Sequence, residues 1–398
     1  MSKKTSIPIF LFTFNCAKTN QATQDLEDAL GRAYPQAHPP PSLLVFGFQE
    51  ICSVIDSTSY ATVNQHVIQM NDFLLGSLSA RYGSDYSFST VGINHTGSVA
   101  LIVITPYPSK VSQVKTANMS CGRLLSSTKG GAGVRLKLRV KESENPVGFT
   151  FVAAHFMAAE GEKYLLRRNQ NYLTLLQGMD FGDGFGVIKP RFHCFFMGDL
   201  NYRASGGFHG KHRPSSRASE SERLISDFES TDELSIYRTA GEVFWGFEEP
   251  PVTFKPTYKF KVGTSEYTSK RVPSWCDRIL YQNYTEEYHD TTEPLERVLE
   301  YNSIPSLKTS DHIPVYLNIE VPTDPPLSIV NNRGYLIDAS GISVDNIYLK
   351  PTKLTSYYSK FGIATDVVFR AVLLGLLTNT GRIVLAVLVL FLVWVFRF

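Results

Sequence analysis

The chain has 398 residues, of which 43% are hydrophobic, so it can bury a large core in one or two domains. Its formal net charge of +2 is nearly balanced, which argues against a wide basic surface for nucleic acid and leaves anion binding to local basic residues. The five cysteines form no Cys-x-x-Cys pair, which argues against a disulfide framework or zinc site and favours a reducing compartment.

Short apolar runs and helical periodicity alternate along the first two hundred residues. They predict strands at 7–14, 43–48, 99–104, 134–140, 149–154 and 193–197, and helices at 63–78 and 164–176. Strands follow strands in the middle of the chain. This order favours an α/β sandwich with substantial antiparallel pairing over a purely parallel, doubly wound sheet.

The last third of the chain changes in character. Residues 1–321 are typical of a globular domain, whereas 322–366 contain several prolines and weak periodicity, which predicts a linker with a strand at 334–337. Residues 367–398 form a hydrophobic tail. A helix from 378 to 396 would be about 28 Å long, close to the thickness of a thin bilayer, and we expect it to span a membrane.

A buried C-terminal core helix is the alternative explanation of the tail. Such a helix usually carries a polar face, and residues 383–396 have none.

Polar side chains follow several of the predicted strands. The strand at 193–197 runs into Gly198-Asp199-Leu200-Asn201, which aims a carboxylate and an amide in one direction from a rigid strand end. An ordinary turn explains an isolated motif of this kind equally well, because Asp and Asn favour turns. Three further strands, however, end at Asn15, Glu50 and His155.

Two more polar clusters lie in the second half of the chain. Residues 271–280 read Arg-Val-Pro-Ser-Trp-Cys-Asp-Arg-Ile-Leu, and Ser310-Asp311-His312 precedes another apolar run. If the strands form two packed sheets, the polar residues at their ends can converge on one cleft.

Residues 195–203 and 271–280 resemble the paired signatures of the inositol polyphosphate 5-phosphatases. The second signature agrees fully, and the first has Phe196 where Trp is common. Segments 129–131 and 256–259 also resemble the family, and the similarity extends from about residue 15 to 319. The resemblance implies a four-layer α/β sandwich of the endonuclease/exonuclease/phosphatase (DNase I-like) type, to which the tail would add a C-terminal transmembrane helix.

The resemblance also implies roles for residues at the motif positions. Metal ligands would be Glu50, with Asn15 and Asp311 in support. Catalysis would depend on Asp199 to orient and deprotonate water, Asn201 and His155 to contact the scissile phosphate, and His312, held by Asp277, to donate to a phosphate oxygen. The neighbouring 4-phosphate would be read by Tyr258, Lys259 and Arg271.

The chemistry of these residue types is consistent with those roles. Mg²⁺ prefers oxygen ligands and binds through one or two carboxylates while it keeps several waters. Phosphoryl transfer depends mainly on positioning and charge stabilisation, so water can attack directly. Cys276 is not followed by the Cys-x5-Arg loop of thiol phosphatases, and we interpret it as a packing residue.

We therefore expect a Mg²⁺-dependent phosphatase that converts phosphatidylinositol 4,5-bisphosphate to phosphatidylinositol 4-phosphate. With its tail, the chain most resembles the tail-anchored members of the family, which implies a single-pass protein of the endoplasmic reticulum membrane whose catalytic domain faces the cytosol. We expect a monomer. Basic residues in 206–217 are equally consistent with contacts to acidic lipid headgroups and with a solvated loop.

Three alternatives stay open. A phosphodiesterase of the same fold, such as a sphingomyelinase or a nuclease, would share the metal and water machinery, but segments 256–259 and 271–280 favour a phosphorylated monoester. A soluble inositol phosphate would suit the same motifs, although the tail favours lipid. A catalytically dead membrane adaptor should lack one or more site residues, and all of them are present.

Overall fold

The computed structural model describes residues 6–19, 21–36, 38–141, 143, 145–204, 228–284, 295–337, 342–377, 379, 381–383, 386, 387 and 390. Its strands are β1 Ser6–Asn15, β2 Leu43–Gln49, β3 Ser89–Thr96, β4 Val99–Thr105, β5 Val111–Ser120, β6 Gly130–Leu138, β7 Val147–His155, β8 Phe192–Asp199, β9 Phe247–Glu248, β10 Asp277–Gln282, β11 Arg297–Ser303, β12 Val315–Pro322, β13 Tyr335–Ile337 and β14 Ser343–Tyr348. Its helices are α1 Gln24–Ala33, α2 Tyr60–Tyr82, α3 Glu162–Gly178, α4 Phe228–Thr231, α5 Glu233–Thr239 and α6 Lys353–Leu377.

Within the described residues, twelve of the strands form two six-stranded sheets. The first sheet has the order β11-β12-β1-β2-β4-β3 and the second has the order β5-β6-β7-β8-β10-β9. Most neighbours are antiparallel, but β1 pairs with β2, and β7 pairs with β8, in parallel. The expected antiparallel pairing is therefore confirmed, with one parallel pair near the centre of each sheet.

The central strands are buried on both faces. In β1, Ile9 and Leu11 point between the sheets, whereas Phe10 and Phe12 pack against α1 and α2. Successive side chains of a strand point to opposite faces, so a strand with both faces covered is a continuous apolar run. This packing explains why the sequence shows unbroken apolar stretches instead of a polar alternation.

The layers run from α1 and α2 through the first and second sheets to α3. Phe195 and Met197 of β8 face the first sheet, and Phe196 packs against Tyr172 of α3. The four-layer α/β sandwich predicted from the resemblance is confirmed.

Strand β6 begins earlier than the sequence predicts, at Gly130 and not at residue 134. Its first residues are glycines, which lowered the strand propensity of this segment. A Cβ atom at Gly131 would lie 2.6 Å from Leu175 Cδ1, so a side chain here would collide with α3. Glycine is needed here for close packing of the helix.

The stretch predicted as a linker carries structure of its own. Strands β13 and β14 form a two-stranded sheet, and Val330, Leu336 and Leu349 are buried in the apolar cluster on the α3 side. The division into residues 1–321, 322–366 and 367–398 stays a prediction.

Among the described residues, no helix combines the length and the hydropathy that a membrane crossing requires. Most of the predicted span at 378–396 lies outside the described residues, as does the basic segment 206–217. The membrane helix therefore stays a prediction.

Candidate active site

Strand pairing brings three of the predicted site residues side by side. His155, at the end of β7, is the register partner of Asp199, at the end of β8, and Asp199 is also the partner of Asp277, at the start of β10. The first sheet reaches the same place through Asn15, whose Nδ2 donates to Asp199 Oδ2 at 2.8 Å. The backbone ladders thus assemble the centre of the site.

Asp199 is buried at this centre. Its carboxylate accepts a hydrogen bond from the backbone N–H of Asn201 at 3.1 Å and lies 3.2 Å from His155 Nε2. Burial alone would raise the pKa of Asp199, but the positive charge of His312 and the contacts of His155 outweigh it and hold the pKa well below its ordinary value. Asp199 is therefore ionised at neutral pH.

His312 and Asp277 form a buried pair. His312 Nδ1 donates to Asp277 Oδ2 at 2.8 Å, which leaves Nε2 directed towards Asp199 Oδ2 at 3.8 Å. Thr257 Oγ1 also donates to Asp277 Oδ2. Burial disfavours the imidazolium, but Asp277 and Asp199 overcome it and raise the pKa of His312 to about 9. The site therefore holds a protonated histidine at neutral pH.

Lys129 brings a second cation to the site. It lies just before β6, and its Nζ contacts the ring of His155. Burial lowers the pKa of His155, and the charge of Lys129 lowers it further, so this imidazole is neutral at neutral pH. The two histidines therefore differ in charge, although they flank the same carboxylate.

Glu50 lies at the open rim of the site. It follows β2 in a left-handed conformation with φ 50°, and 23% of its side chain is exposed. Its carboxylate lies 3.5 Å from Lys18 Nζ and 4.0 Å from His155 Nε2. A non-glycine residue in this conformation is strained, and such strain is often found at functional sites.

Asn201 is fixed by its neighbours. Its backbone is left-handed with φ 58°, its Nδ2 donates to the carbonyl of Phe156 at 3.2 Å, and its Oδ1 accepts from Arg203 Nη2. Arg203 in turn lies over the ring of Tyr258, 4.5 Å from its centroid. This guanidinium is a further buried cation beside the carboxylates.

The residues expected to bind the neighbouring 4-phosphate are not equally close to the site. Tyr258 packs on His312 with ring centroids 4.5 Å apart, and Lys259 Nζ donates to Asp311 Oδ2 at 2.5 Å. Arg271 is exposed and donates to the carbonyl of Lys270. The structure therefore brings Tyr258 and Lys259 to the site and leaves Arg271 on the surface.

The second signature also contains residues that serve the core. Arg278 is buried and pairs with Asp232 at 2.8 Å and with Glu249, so its guanidinium cannot reach a substrate phosphate. Cys276 is buried, and burial raises the pKa of its thiol well above the ordinary range. Both observations fit packing roles.

The donor set fits a hard divalent cation. Ligand atoms of Asp199, Asp277 and His312 lie within 4.8 Å of one another, but the protonated His312 and its bond to Asp277 make that group a poor cage for a cation. Glu50 offers a carboxylate, the ligand type through which Mg²⁺ binds, and its partial exposure leaves room for the waters that Mg²⁺ keeps. Asn15 is engaged with Asp199 and the backbone N–H of Ala17, and Asp311 is paired with Lys259. The predicted metal-binding roles of Asn15 and Asp311 stay predictions.

Two cations of the site, Lys129 and Arg203, have no role predicted from the sequence. Both lie inside segments that resemble the inositol polyphosphate 5-phosphatases, 129–131 and 195–203. The signal available for Lys129 was its place before a strand, because Gly130 of that strand pairs with His155. Arg203 could be found only from its contact with Asn201, which no sequence pattern reports.

The sequence pattern that defines Endonuclease/Exonuclease/phosphatase family 2 matches residues 12–318. A curated relative, phosphatidylinositol 3,4,5-trisphosphate 5-phosphatase 1 of Rattus norvegicus, is 29% identical over 298 residues. That match covers 69% of this chain and 23% of the relative, so it spans about a quarter of the relative's length.

Solved structures share the fold. The inositol polyphosphate 5-phosphatase domain (IPP5C) of SPsynaptojanin, in complex with inositol (1,4)-bisphosphate and calcium ion, has a TM-score of 0.62 and 24% identity over 80% of this chain and 85% of that one. Cimex nitrophorin, in a ferrous NO complex, has a TM-score of 0.54 and 21% identity over 80% and 99%. Since the fold also serves a protein of that kind, function must be argued from the site.

Proposed function

Because the chain belongs to Endonuclease/Exonuclease/phosphatase family 2 and, within it, to the inositol polyphosphate 5-phosphatases, we propose that it removes the 5-phosphate from phosphatidylinositol 4,5-bisphosphate. The product would be phosphatidylinositol 4-phosphate. The observation that carries this proposal is the buried Asp199 carboxylate, which lies 3.2 Å from His155 Nε2 and 3.8 Å from His312 Nε2. This arrangement suits direct attack of water on a phosphate monoester.

Asp199 orients the attacking water. A carboxylate with so low a pKa is a weak base at rest, so it accepts the proton only as the bond from water to phosphorus forms. Asn15 holds the Asp199 carboxylate in place by a hydrogen bond from the opposite sheet. Positioning of this kind accounts for much of the rate enhancement in phosphoryl transfer.

The cations stabilise charge on the phosphate. His312 Nε2 is free of its Asp277 partner and can donate to a phosphate oxygen, while Lys129 and Arg203 add positive charge beside His155 and Asn201. Charge stabilisation by fixed donors in a dry site is worth far more than in water. His155 and Asn201 are proposed to contact the scissile phosphate.

A Mg²⁺ ion held mainly by Glu50 would supply further charge neutralisation at the phosphate oxygens. Asn15, which is hydrogen-bonded to Asp199, and Asp311, which is hydrogen-bonded to Lys259, are proposed to support this metal site. Lys259 and Tyr258 are proposed to contact the 4-phosphate, with Arg271 at the outer edge.

A 3,4,5-trisphosphate lipid is the second candidate substrate, since the curated relative is a phosphatidylinositol 3,4,5-trisphosphate 5-phosphatase. A phosphodiesterase of the same fold is less favoured, because the fold likeness alone supports it. A soluble inositol phosphate shares the headgroup chemistry. We further propose that residues 378–396 hold a monomeric enzyme on the endoplasmic reticulum membrane, facing the cytosol, with no nucleic-acid partner.

Phosphate release by the full-length chain in mixed detergent micelles with Mg²⁺ tests these proposals. The substrates to compare are phosphatidylinositol 4,5-bisphosphate, phosphatidylinositol 3,4,5-trisphosphate, inositol 1,4,5-trisphosphate, sphingomyelin and single-stranded DNA. We expect release from the first at the highest kcat/KM and loss of it on chelation of the metal. Cleavage of sphingomyelin to phosphocholine, or of DNA to nucleotides, with no phosphate released from the inositol substrates, would replace the proposal with the phosphodiesterase alternative.

The Asp199→Asn variant tests the role of Asp199 in this assay. It keeps the size of the side chain and removes the charge, so we expect activity to fall by about a hundredfold or more, while membrane attachment is kept. Thermal unfolding and circular dichroism check that the variant folds. Full activity in this variant would end the assignment of Asp199.

A further inference from the structure

Helix α6 makes close contacts with a loop at the edge of the candidate active site. Asp366 Oδ1 accepts a hydrogen bond from the backbone N–H of Ser127 at 2.9 Å, and Thr365 Oγ1 donates to the carbonyl of Leu124 at 3.0 Å. A Cβ atom at Gly362 would lie 2.5 Å from the carbonyl oxygen of Leu125. The backbones of helix and loop are therefore in direct contact.

We call residues 121–129 the α6-contact loop. Leu124 and Leu125 are both left-handed, with φ of 53° and 58°, a conformation that leucine adopts only at a cost in free energy. Internal hydrogen bonds from Gly122 N–H to the Ser126 carbonyl and between the Ser126 and Thr128 hydroxyls hold the loop in part. A strained loop persists only when its surroundings fix it, and α6 supplies part of that support.

The α6-contact loop ends at Lys129, one of the cations of the active site. Lys129 lies two residues after Ser127, and its Nζ contacts His155 beside Asp199. Its backbone carbonyl accepts from the N–H of Cys121 at 2.8 Å, which closes the base of the loop. A shift of the loop at Ser127 would therefore change the position of Lys129.

We propose that α6 holds the α6-contact loop in the conformation that places Lys129 against His155, and that Asp366 is the positioning residue. This inference rests on the proposed function, because its consequence is a change in phosphate hydrolysis. Asp366 is remote from the reacting atoms and acts through the loop.

The role of Asp366 is that of a hydrogen-bond acceptor. Burial raises the pKa of its carboxyl group, and the group holds the loop through the hydrogen bond that it accepts from the Ser127 amide. An Asn side chain has an acceptor oxygen at the same place, whereas Ala has none. The conservative variant should therefore keep the function of the contact.

The first experiment compares full-length Asp366→Ala, Asp366→Asn and the exposed-acid control Asp324→Ala in the micelle assay. We expect Asp366→Ala to lower kcat by about fivefold or more with little change in KM. The reason is that the loop positions Lys129, which stabilises charge on the transferred phosphate and does not bind the lipid. Asp366→Asn and Asp324→Ala should retain the kcat of the unchanged protein. Equal activity in all four proteins would overturn the proposal.

A double-mutant comparison tests whether the effect passes through Lys129. In the Lys129→Met background the same Asp366→Ala change should lower kcat by less than about twofold, since the group being positioned is gone. If the two changes multiply as independent effects, Asp366 acts only on stability and the proposal fails.

Hydrogen exchange gives a readout that does not require activity. The amide of Ser127 donates to Asp366, so Asp366→Ala should accelerate exchange in a peptide covering the α6-contact loop, and Asp366→Asn should not. Unchanged exchange would show that α6 does not hold the loop. An unchanged protein that releases no phosphate from any substrate would instead overturn the proposed function, while this measurement would still decide the contact.

Discussion

Neighbouring side chains at the site have opposite protonation preferences. Asp199 and Asp277 both lie near His312, yet the pKa of Asp199 is lowered by its cationic neighbours, and the pKa of Asp277 is raised, chiefly by burial. His312 gains from both carboxylates, and its pKa rises to about 9. Environment thus gives two aspartates and two histidines four different roles.

The raised pKa of His312 predicts a loss of activity at alkaline pH. Activity should fall as pH rises through about 9, because the imidazole then loses the proton it donates to phosphate. The Asp277→Asn variant removes the main charge that raises this pKa, so its alkaline limb should move to lower pH. The pH profile of kcat/KM measures both.

The exposed-acid control Asp324→Asn should leave that profile unchanged. An alkaline limb that stays in place in Asp277→Asn would contradict the role of the pair.

His312 also links the stability of the fold to pH. The pKa of His312 in the folded protein lies above the ordinary histidine value of about 6.5, so its contribution to stability is complete below about 6.5 and is lost as pH rises through about 9.

Residues at strand ends could be predicted from the sequence, and contacts between side chains could not. Asp199, His155 and Asn15 were found because an apolar run shows where a strand ends. Asp311 was expected at the metal, but its bond to Lys259 is a pairing of two side chains from distant segments. No periodicity or motif spacing reports such a pairing.

At the scale of elements, the end of β8 depends on one glycine. Gly198 has φ 143°, and a Cβ atom there would lie 2.0 Å from the carbonyl oxygen of Ala154 on β7. Both the conformation and the close approach exclude a side chain. The glycine lets β8 lie close enough to β7 for His155 and Asp199 to meet.

The Gly198→Ala variant should therefore be strongly destabilised. The matched control is Gly184→Ala, which has φ 82° but no atom within 4 Å of the added Cβ. We expect Gly198→Ala to lower the free energy of unfolding by about 2 kcal/mol or more beyond the control, because the clash adds to the conformational cost. Denaturant unfolding of both variants measures the difference, and equal stabilities would contradict it.

The central strands and the long helices α2 and α3 were predictable, but β3, β5, β11 and α1 were not predicted. Apolar runs located β1, β2, β4, β7 and β8 to within a few residues. The start of β6 was missed because its three glycines carry no apolar signal, although Gly131 is needed for packing against α3. Packing between layers is a property of the folded chain, and the sequence states it only indirectly.

At the scale of the whole molecule, the tail carries the membrane proposal. Removing residues 378–398 should release the protein from membranes and leave activity on micellar substrate, because α6 and its contacts remain. Val387→Arg, near the middle of the proposed span, should weaken attachment in the intact chain, since a central charge costs roughly 2.5–3.5 kcal/mol. Flotation with vesicles measures both.

The control for this experiment is the unchanged chain assayed in the same vesicles. Attachment of the shortened protein at the level of the full chain would show that another surface holds the membrane. Val330, Leu336 and Leu349 pack on the α3 side, so a larger deletion that begins at residue 322 would also expose buried apolar residues. Those residues are sparse, which is why the sequence predicted a linker there.

The pairing of β1 with β12 has a consequence for how the protein is made. Strand β1 lies between β2 and β12, and Ser310 Oγ donates to the carbonyl of Asn15 at 2.7 Å across 295 positions of the chain. At roughly 5–20 residues per second, a ribosome needs about 15–60 s to extend the chain from one to the other. During that interval the edge of β1 that pairs with β12 has no partner, and an unpaired apolar strand edge is prone to aggregation.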